Sequence, residues 1–269
     1  MTDVHDNHNH LVANGDALAM VRAAEAAGLA GFAFTEHVFH LDEARAASRY
    51  LGTRWDGELE GPPIGVGRYL SEIAAAAEAV PAVAVTVGIE LEHWPDDPRV
   101  REVQDTFLAE RADAWDIVLG SVHCLSGDHS IFDPYMPLSP AEAWDDYFER
   151  LCDAVERGGY DVVTHPVRLA VSQPDLPSDL ADRLDRLAEL AAASDTPLEV
   201  NGSDVRGYPE LVQLLCASIG RAGAPVSLGS DAHYPRRVGA VLGGIEFLRA
   251  AGVRNAVAFE RRARRDVPL

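Results

Sequence analysis

Histidine and carboxylate side chains that could bind metal ions occur in two short motifs far apart in the chain. His8 and His10 form a His-x-His pair, and Asp231 and His233 form an Asp-x-His pair. In an extended segment residues i and i+2 point to the same side, so each pair can close on one ion. Imidazole nitrogens and carboxylate oxygens without thiolates suit zinc, iron or manganese. Both motifs therefore predict a site for a divalent metal.

Further candidate ligands come singly, each after a short apolar run that predicts a β-strand. They are His37 in Thr-Glu-His, Glu90 in Gly-Ile-Glu, His123 in Gly-Ser-Val-His, and His165. One histidine after a strand is more often a hydrogen-bonding residue than a ligand, so the prediction depends on the joint placement. At about four to six ligands per ion, the full set implies two or three ions. The other histidines, His5, His40, His93 and His129, are expected to be bystanders.

The elements that must position these side chains alternate between strands and helices. Strands are predicted near Val4 and at Gly31–Thr35, Ala82–Ile89, Asp116–Gly120, Asp161–Thr164, Pro197–Val200 and Pro225–Leu228. Helices are predicted at Asp16–Ala27, Val66–Ala79, Pro98–Ala112, Ser139–Arg157, Pro177–Ala193, Tyr208–Ala222 and Arg236–Ala250. The alternation indicates an α/β fold with a parallel sheet, either open or closed as a barrel. Both forms gather the carboxyl ends of the strands, and with them the candidate ligands, at one end.

The remaining segments interrupt or follow this alternation. His40–Gly65 and Ser126–Pro137 are predicted to be long loops after strands, where substrate contacts are expected. Val253–Phe259 could form one more strand, and the basic segment Arg261–Arg265 is expected to be a solvated end. A length of 269 residues with 47% hydrophobic content fits a single domain over residues 1–269.

The composition excludes several classes of partner. A formal net charge of −20 opposes binding to nucleic acid, although metal ions and arginines can still make one pocket attractive to a small anion. No apolar run approaches the roughly 20 residues of a membrane-spanning helix, and no signal peptide is evident. We therefore expect a cytoplasmic protein. Cys124, Cys152 and Cys216 form no Cys-x-x-Cys pair and are expected to be free thiols. The oligomeric state is left open.

Taken together, the motifs resemble those of the PHP (polymerase and histidinol phosphatase) superfamily. Asp6-Asn-His-Asn-His10 is similar to its first motif and Thr35-Glu-His37 to its second. Gly120-Ser-Val-His123 with His165-Pro166 is similar to the third, and Gly229-Ser-Asp-Ala-His233 to the fourth. The resemblance covers nearly the whole chain. It implies a distorted seven-stranded β/α barrel, that is, a (β/α)7 TIM-like fold.

The resemblance also implies a set of metal ligands. By analogy with the family, two or three ions would be held by His8, His10, His37, Glu90, His123, His165, Asp231 and His233. Many members with three ions have another histidine six residues beyond the His-x-His pair, where this chain has Asp16. Asp16 is therefore either a further ligand or the N-cap of the first helix.

Within the superfamily, Glu199-Val-Asn201-Gly-Ser-Asp-Val-Arg206 is most similar to the monofunctional histidinol-phosphate phosphatases. This implies a hydrolase of histidine biosynthesis that converts L-histidinol phosphate to L-histidinol and phosphate. Arg206 and Arg168 are the candidates for binding the phosphate, and Asp231 or His233 for assisting the leaving group. The ammonium and imidazole of such a substrate could contact acidic and aromatic loop residues, namely Asp42, Glu43, Trp55, Asp56, Trp94, Asp96 and Asp97.

Two alternatives remain beside this prediction. The substrate could be another phosphomonoester, a cyclic phosphodiester or a molecule without phosphate, because shared ligands fix the reaction class and the loops fix the leaving group. The chain could instead be a metal-binding domain without catalytic activity. The filled ligand positions argue against that second alternative.

Overall fold

A computed structural model describes residues 3–12, 15–44 and 63–269, so most of the predicted loop His40–Gly65 lies outside the described residues. The strands are His5–Asp6 (β1), Gly31–His37 (β2), Ala84–Glu92 (β3), Ile117–Ser121 (β4), Cys124–Leu125 (β5), His129–Ser130 (β6), Val162–Val163 (β7), Leu198–Asn201 (β8), Val226–Gly229 (β9), Asn255–Glu260 (β10) and Ala263–Pro268 (β11). The helices are Ala17–Ala26 (α1), Val66–Ala79 (α2), Pro98–Ala109 (α3), Pro140–Arg157 (α4), Leu180–Ser194 (α5), Gly202–Gly207 (α6), Pro209–Ala222 (α7) and Ile245–Ala250 (α8).

Seven of these strands form one parallel sheet in the order β1-β2-β3-β4-β7-β8-β9. The sheet curves until its two edges meet, because the amide of Asn7 donates to the carbonyl of Leu228 over 2.7 Å and the amide of Asp231 donates to the carbonyl of His8 over 2.7 Å. All residues of β2 and β4 are buried, as expected for parallel strands covered on both faces. The predicted distorted (β/α)7 barrel is confirmed.

The helices pack around this barrel through apolar faces, and α4 illustrates why they form. Ser139 caps its amino end in a capping box with Glu142, and Pro140 occupies its first turn. Trp144 and Tyr147 lie on its buried face. Among the described residues no helix combines the length and the apolar character needed to cross a membrane.

The hairpin of β10 and β11 lies outside the barrel sheet. The possible further strand at Val253–Phe259 is present as β10, which pairs antiparallel with β11. Its Val257 and Phe259 form a separate apolar cluster with side chains from inside the barrel, namely Ala33, Ile117, Leu119 and Val162. The hairpin thus closes the end of the barrel opposite to the carboxyl ends of the strands.

Arginines fix this hairpin in place. Arg262 pairs with Asp161, the residue before β7, and Arg264 pairs with Asp195 over 2.8 Å. The expectation of a solvated basic end over Arg261–Arg265 was therefore wrong in part. These residues are exposed, yet they turn into and form part of β11. Arg264 and Asp195 are 69 residues apart in sequence, so no local sequence pattern reveals that they pair.

Two further predictions about the elements need correction. The helix expected over Arg236–Ala250 is reduced to α8, preceded by short 3-10 turns at Pro235–Arg237 and Ala240–Gly244. Gly239 interrupts it, because its φ of 78° is incompatible with a right-handed helix. The loop expected over Ser126–Pro137 contains β6, which pairs with β5 in a small antiparallel hairpin.

Substituting Phe259 by alanine is expected to destabilise the protein by about 3–5 kcal/mol, because it removes a buried aromatic ring from the closed end of the barrel. Urea unfolding measures the effect, and Glu260→Ala, an exposed change in the same strand, is the control. Activity below the unfolding transition should be unchanged in both variants. A decrease of less than about 1 kcal/mol in the free energy of unfolding of Phe259→Ala would show that the hairpin is not part of the core.

Candidate metal centre

The candidate ligands converge at the carboxyl ends of the barrel strands. Within the described residues, three groups of side chains place their ligand atoms within 4.8 Å of one another: His8, His10 and Glu90; His37, Glu90 and His123; and His10, His37 and His233. Residues that are up to 225 positions apart in sequence therefore share one site.

Glu90 lies at the centre of this site, near the end of β3. Its two carboxylate oxygens lie within 3.7 Å of nitrogens of five imidazoles, those of His8, His10, His37, His123 and His165. The shortest of these distances is 2.5 Å, to Nδ1 of His37. Glu90 would therefore be shared by the ions that these imidazoles could hold.

The last motif completes the site from the opposite side. Oδ1 of Asp231 lies 3.2 Å from Nε2 of His10 and 3.8 Å from Nε2 of His8. The ring of His233 stacks on that of His10 with 4.2 Å between centroids. The side chain of His233 is 26% exposed, more than any other member of the three groups, so it lies at the open edge of the site.

The donor set fits divalent metal ions. Nε2 of His8 lies 3.2 Å from Nε2 of His10, and Nε2 of His123 lies 3.2 Å from Nε2 of His165. Two imidazole nitrogens at this separation can both bind one ion at about 2.0–2.1 Å. Carboxylates and imidazoles buried without thiolates suit zinc, iron or manganese.

The two carboxylates are held in their ionised form. Burial raises the pKa of Glu90, but the imidazoles of His37 and His8 lower it more, so the pKa lies well below the usual range. Burial also raises the pKa of Asp231, and the charges of Arg168 and His8 again bring it well below the usual range. Ionised carboxylates are the form that binds metal.

The histidines divide into two classes. Burial, with the charge of Arg168 nearby, lowers the pKa of His165 to about 4, so its imidazole is neutral and ready to bind an ion. Burial also lowers the pKa of His10, but hydrogen bonds with Asp231 and Glu36 raise it to about 9. An ion held at His10 would displace this proton, and we therefore expect metal affinity to increase with pH.

Two of the candidate ligands have an unusual backbone. His165 has a φ of 31° and Asp231 a φ of 53°, in the left-handed region that residues other than glycine rarely adopt. Hydrogen bonds hold both in place, since the amide of His165 donates to Glu199 over 2.8 Å and the amide of Asp231 donates to the carbonyl of His8. Such strain is concentrated at functional sites.

The structure separates the two candidate phosphate-binding arginines. Arg168 is buried, and its guanidinium contacts Asp231 over 2.8 Å, Asp204 over 2.6 Å and the side-chain oxygen of Asn201 over 2.7 Å. Arg206 is exposed near the end of the six-residue helix α6. Arg168 is therefore part of the site. The structure does not support the prediction that Arg206 acts together with Arg168.

Asp16 is exposed and caps α1, because its carboxylate accepts a hydrogen bond from the amide of Ala19 over 2.8 Å. It belongs to none of the three groups described above. Of the two roles left open for Asp16, the structure supports the N-cap.

Asp16→Asn is expected to leave both the metal content and the stability unchanged, because asparagine caps helices as well as aspartate does. Asp16→Ala should cost about 1 kcal/mol of stability while the metal content stays the same. Metal analysis and thermal unfolding of both variants test this expectation. A lower metal content in both variants would restore Asp16 as a ligand.

Three glutamates at the site were not predicted to have a role. Glu36 accepts hydrogen bonds from the amides of Leu11 and Val12, and its other oxygen lies 3.4 Å from Nδ1 of His10. Glu92 and Glu199 bond to Nδ1 of His123 and His8, over 2.8 and 2.7 Å. Their positions in the sequence could have indicated a role at the site, because all three are acidic residues at strand ends beside candidate ligands.

Most of the loop residues proposed to contact a substrate have structural partners instead. The carboxylate of Glu43 accepts from the amide of Val66, Asp96 pairs with Arg150, and Asp97 caps α3. Trp94 is 7% exposed and packs in the core, and the predicted contacts of Trp55 and Asp56 lie outside the described residues.

The expected bystander histidines are mostly engaged away from the site. His5 contacts Arg265 and His93 contacts Asp153. His40 differs, because its Nδ1 lies 2.8 Å from Glu36, which itself contacts His10. His40 thus supports His10 indirectly, through Glu36.

Known proteins share this architecture. A crystal structure of histidinol phosphate phosphatase from Lactococcus lactis subsp. lactis, complexed with zinc, L-histidinol and phosphate, aligns with a TM-score of 0.78 at 19% identity and covers 98% of this chain and 100% of that one. A putative histidinol phosphatase from Listeria monocytogenes aligns with a TM-score of 0.67 at 16% identity over 87% and 97% of the two chains.

Sequence comparison agrees. A probable histidinol-phosphatase from Deinococcus radiodurans is 29% identical over 257 residues, which cover 89% of this chain and 90% of that protein. A probable phosphatase from Shewanella sp. is 24% identical over 264 residues, covering 95% and 84% of the two chains. The family model of the PHP domain matches residues 2–203, most of the chain. The chain belongs to the PHP domain family.

Proposed function

We propose that this chain is a metal-dependent phosphatase of small phosphate monoesters, with L-histidinol phosphate as its substrate. The observation that carries the proposal is the arrangement around Glu90, where five imidazoles and Asp231 converge at one end of the barrel. The relative from Deinococcus radiodurans, which is named a probable histidinol-phosphatase, supports the substrate, as does the Lactococcus structure with zinc, L-histidinol and phosphate.

We propose two or three divalent ions, with zinc, iron or manganese as the metal. The group of His8, His10 and Glu90, with Asp231 beside it, would hold one ion, and the group of His37, Glu90 and His123 a second. A third ion at His233 would share His10 and His37 with the other groups. When bound, the ions would supply Lewis acidity toward the phosphoryl oxygens and lower the pKa of a water nucleophile.

The chain's own residues would position the substrate and move protons. Arg168 holds Asp231 in place and adds a positive charge beside the ligands, which favours an anionic phosphate. We propose Arg168 rather than the exposed Arg206 for this role. His233, at the open edge of the site, would assist departure of the alkoxide by supplying a proton, whereas the ionised Asp231 would assist only as a metal ligand.

Phosphate release from L-histidinol phosphate, compared with a panel of small phosphate monoesters and diesters, tests the proposal. Metal-replete protein should hydrolyse L-histidinol phosphate fastest, and both chelation and His8→Ala should remove the activity. If protein with its metals bound released no phosphate from any ester, the phosphatase proposal would be contradicted.

A second candidate is a phosphatase of a different small monoester. Several relatives with comparable coverage are named only as probable phosphatases, and the acidic loop residues expected to bind histidinol have other partners. The same panel distinguishes the two candidates, because fast turnover of another ester would keep the site and change the substrate.

A further inference from the structure

Two glutamates without an assigned role each contact the imidazole of a proposed histidine ligand, on the side that faces away from the metal centre. Nδ1 of His8 lies 2.7 Å from Oε1 of Glu199, and Nδ1 of His123 lies 2.8 Å from Oε2 of Glu92. The opposite nitrogen, Nε2, points toward Glu90 at 3.4 Å in His8 and 3.7 Å in His123. Each ring therefore has a glutamate on one side and the candidate metal centre on the other.

The remaining oxygen of each glutamate is occupied by donors that cannot change their role. Oε1 of Glu92 accepts from the amides of His123 and Cys124, over 2.8 and 3.2 Å. Oε2 of Glu199 accepts from the amide of His165 over 2.8 Å and from the side-chain amide of Asn201 over 3.0 Å. A backbone N–H can only donate, so both carboxylates are fixed as acceptors.

An acceptor fixed against Nδ1 decides the state of the ring. A neutral imidazole carries one proton, and a carboxylate at Nδ1 favours that proton on Nδ1. The lone pair is then on Nε2, which faces the metal centre. We propose that Glu92 and Glu199 are positioning residues that hold His123 and His8 in the Nδ1–H tautomer, with Nε2 ready to bind an ion. This inference rests on the metal site of the proposed function.

The neighbourhood of Glu199 is built around this contact. Gly229 ends β9 directly beside it, and a Cβ atom at that position would lie 2.1 Å from Oε1 of Glu199 and 2.5 Å from Cβ of His8. Only glycine leaves room for both side chains. The fourth motif thus contributes a space for the glutamate as well as the ligands Asp231 and His233.

Glutamine substitutions separate this role from simple packing. Glutamine has almost the size of glutamate, but one oxygen is replaced by an NH2 donor. Facing the fixed amides, that donor would meet another donor, so it should turn toward the imidazole. Only the imidazole can adapt, by moving its proton to Nε2, and that nitrogen then has no lone pair for a metal.

The experiment measures zinc affinity by competition with a chromophoric chelator in the wild-type protein, Glu199→Gln and Glu92→Gln. Each variant should bind zinc about 10–100-fold more weakly. The control is Asp153→Asn, which alters a comparable contact of 3.1 Å with His93 outside the metal centre and should leave zinc affinity unchanged. Wild-type affinity in both folded glutamine variants would overturn the proposal.

Nitrogen-15 NMR of the imidazoles gives a second readout that requires no variant. In the zinc-bound wild-type protein, His8 and His123 should carry their proton on Nδ1, and zinc should bind Nε2. Coordination through Nδ1, or a wild-type protein that binds no zinc, would overturn the inference. Zinc binding with the expected tautomers but without phosphate release would contradict the proposed function and support the positioning role.

Discussion

Glu90→Gln is expected to lower the rate of phosphate release by about 10³-fold or more and to reduce the bound metal. Among the described residues, Glu90 is the one carboxylate that approaches five of the proposed histidine ligands, and it belongs to two of the three groups. Glutamine keeps the shape of the side chain but removes its charge and one acceptor. One proposed ion would therefore lose a ligand, and the other would keep only a neutral amide oxygen.

Metal analysis and phosphate release together measure this effect. Glu102→Gln on α3 is the matched control, because it makes the same chemical change at an exposed position. Metal content and activity close to wild type in Glu90→Gln would contradict a site organised around Glu90. Normal metal content with little activity would retain Glu90 in catalysis but remove it from the ligand set.

Arg168→Met is expected to destabilise the protein by about 3–5 kcal/mol, because it leaves two buried carboxylates without their cation. Arg168 contacts both Asp204 and Asp231. Burial raises the pKa of Asp204 to about 6 even though Arg168 opposes the rise, so removing the arginine should raise it further. The pKa of Asp231 should also increase, which weakens Asp231 as a metal ligand.

Urea unfolding and phosphate release test this variant against Arg206→Met. The exposed Arg206 should tolerate the change with less than about 0.5 kcal/mol of destabilisation, and activity should stay near wild type. Equal losses of activity in the two variants would reinstate Arg206 as a phosphate-binding residue. Wild-type stability in Arg168→Met would show that the buried acids are satisfied without it.

The sequence was sufficient to predict the barrel and the region of the candidate site. Strand and helix patterns are local, and the rule that parallel strands end together converts them into a prediction about distant residues such as His8 and Asp231. The resemblance of the four motifs to the PHP superfamily predicted a closed, seven-stranded sheet. The alternation of strands and helices alone did not distinguish a closed sheet from an open one.

Other features depend on contacts that no local pattern contains. The hairpin of β10 and β11 is held by Arg262 and Arg264, whose acidic partners belong to other parts of the chain. Similarly, Arg168 and Arg206 are the same type of residue near the same motifs, and only the fold makes one buried and the other exposed.

The left-handed backbone of His165 implies that activity and heat resistance are in conflict at this position. A strained residue costs about 1–3 kcal/mol, and glycine would relieve much of that cost. Evolution under selection for thermal stability alone should therefore accept glycine or asparagine at His165 and discard the ligand. Asp231 shares the strained backbone, but its buried ion pair with Arg168 would oppose its replacement.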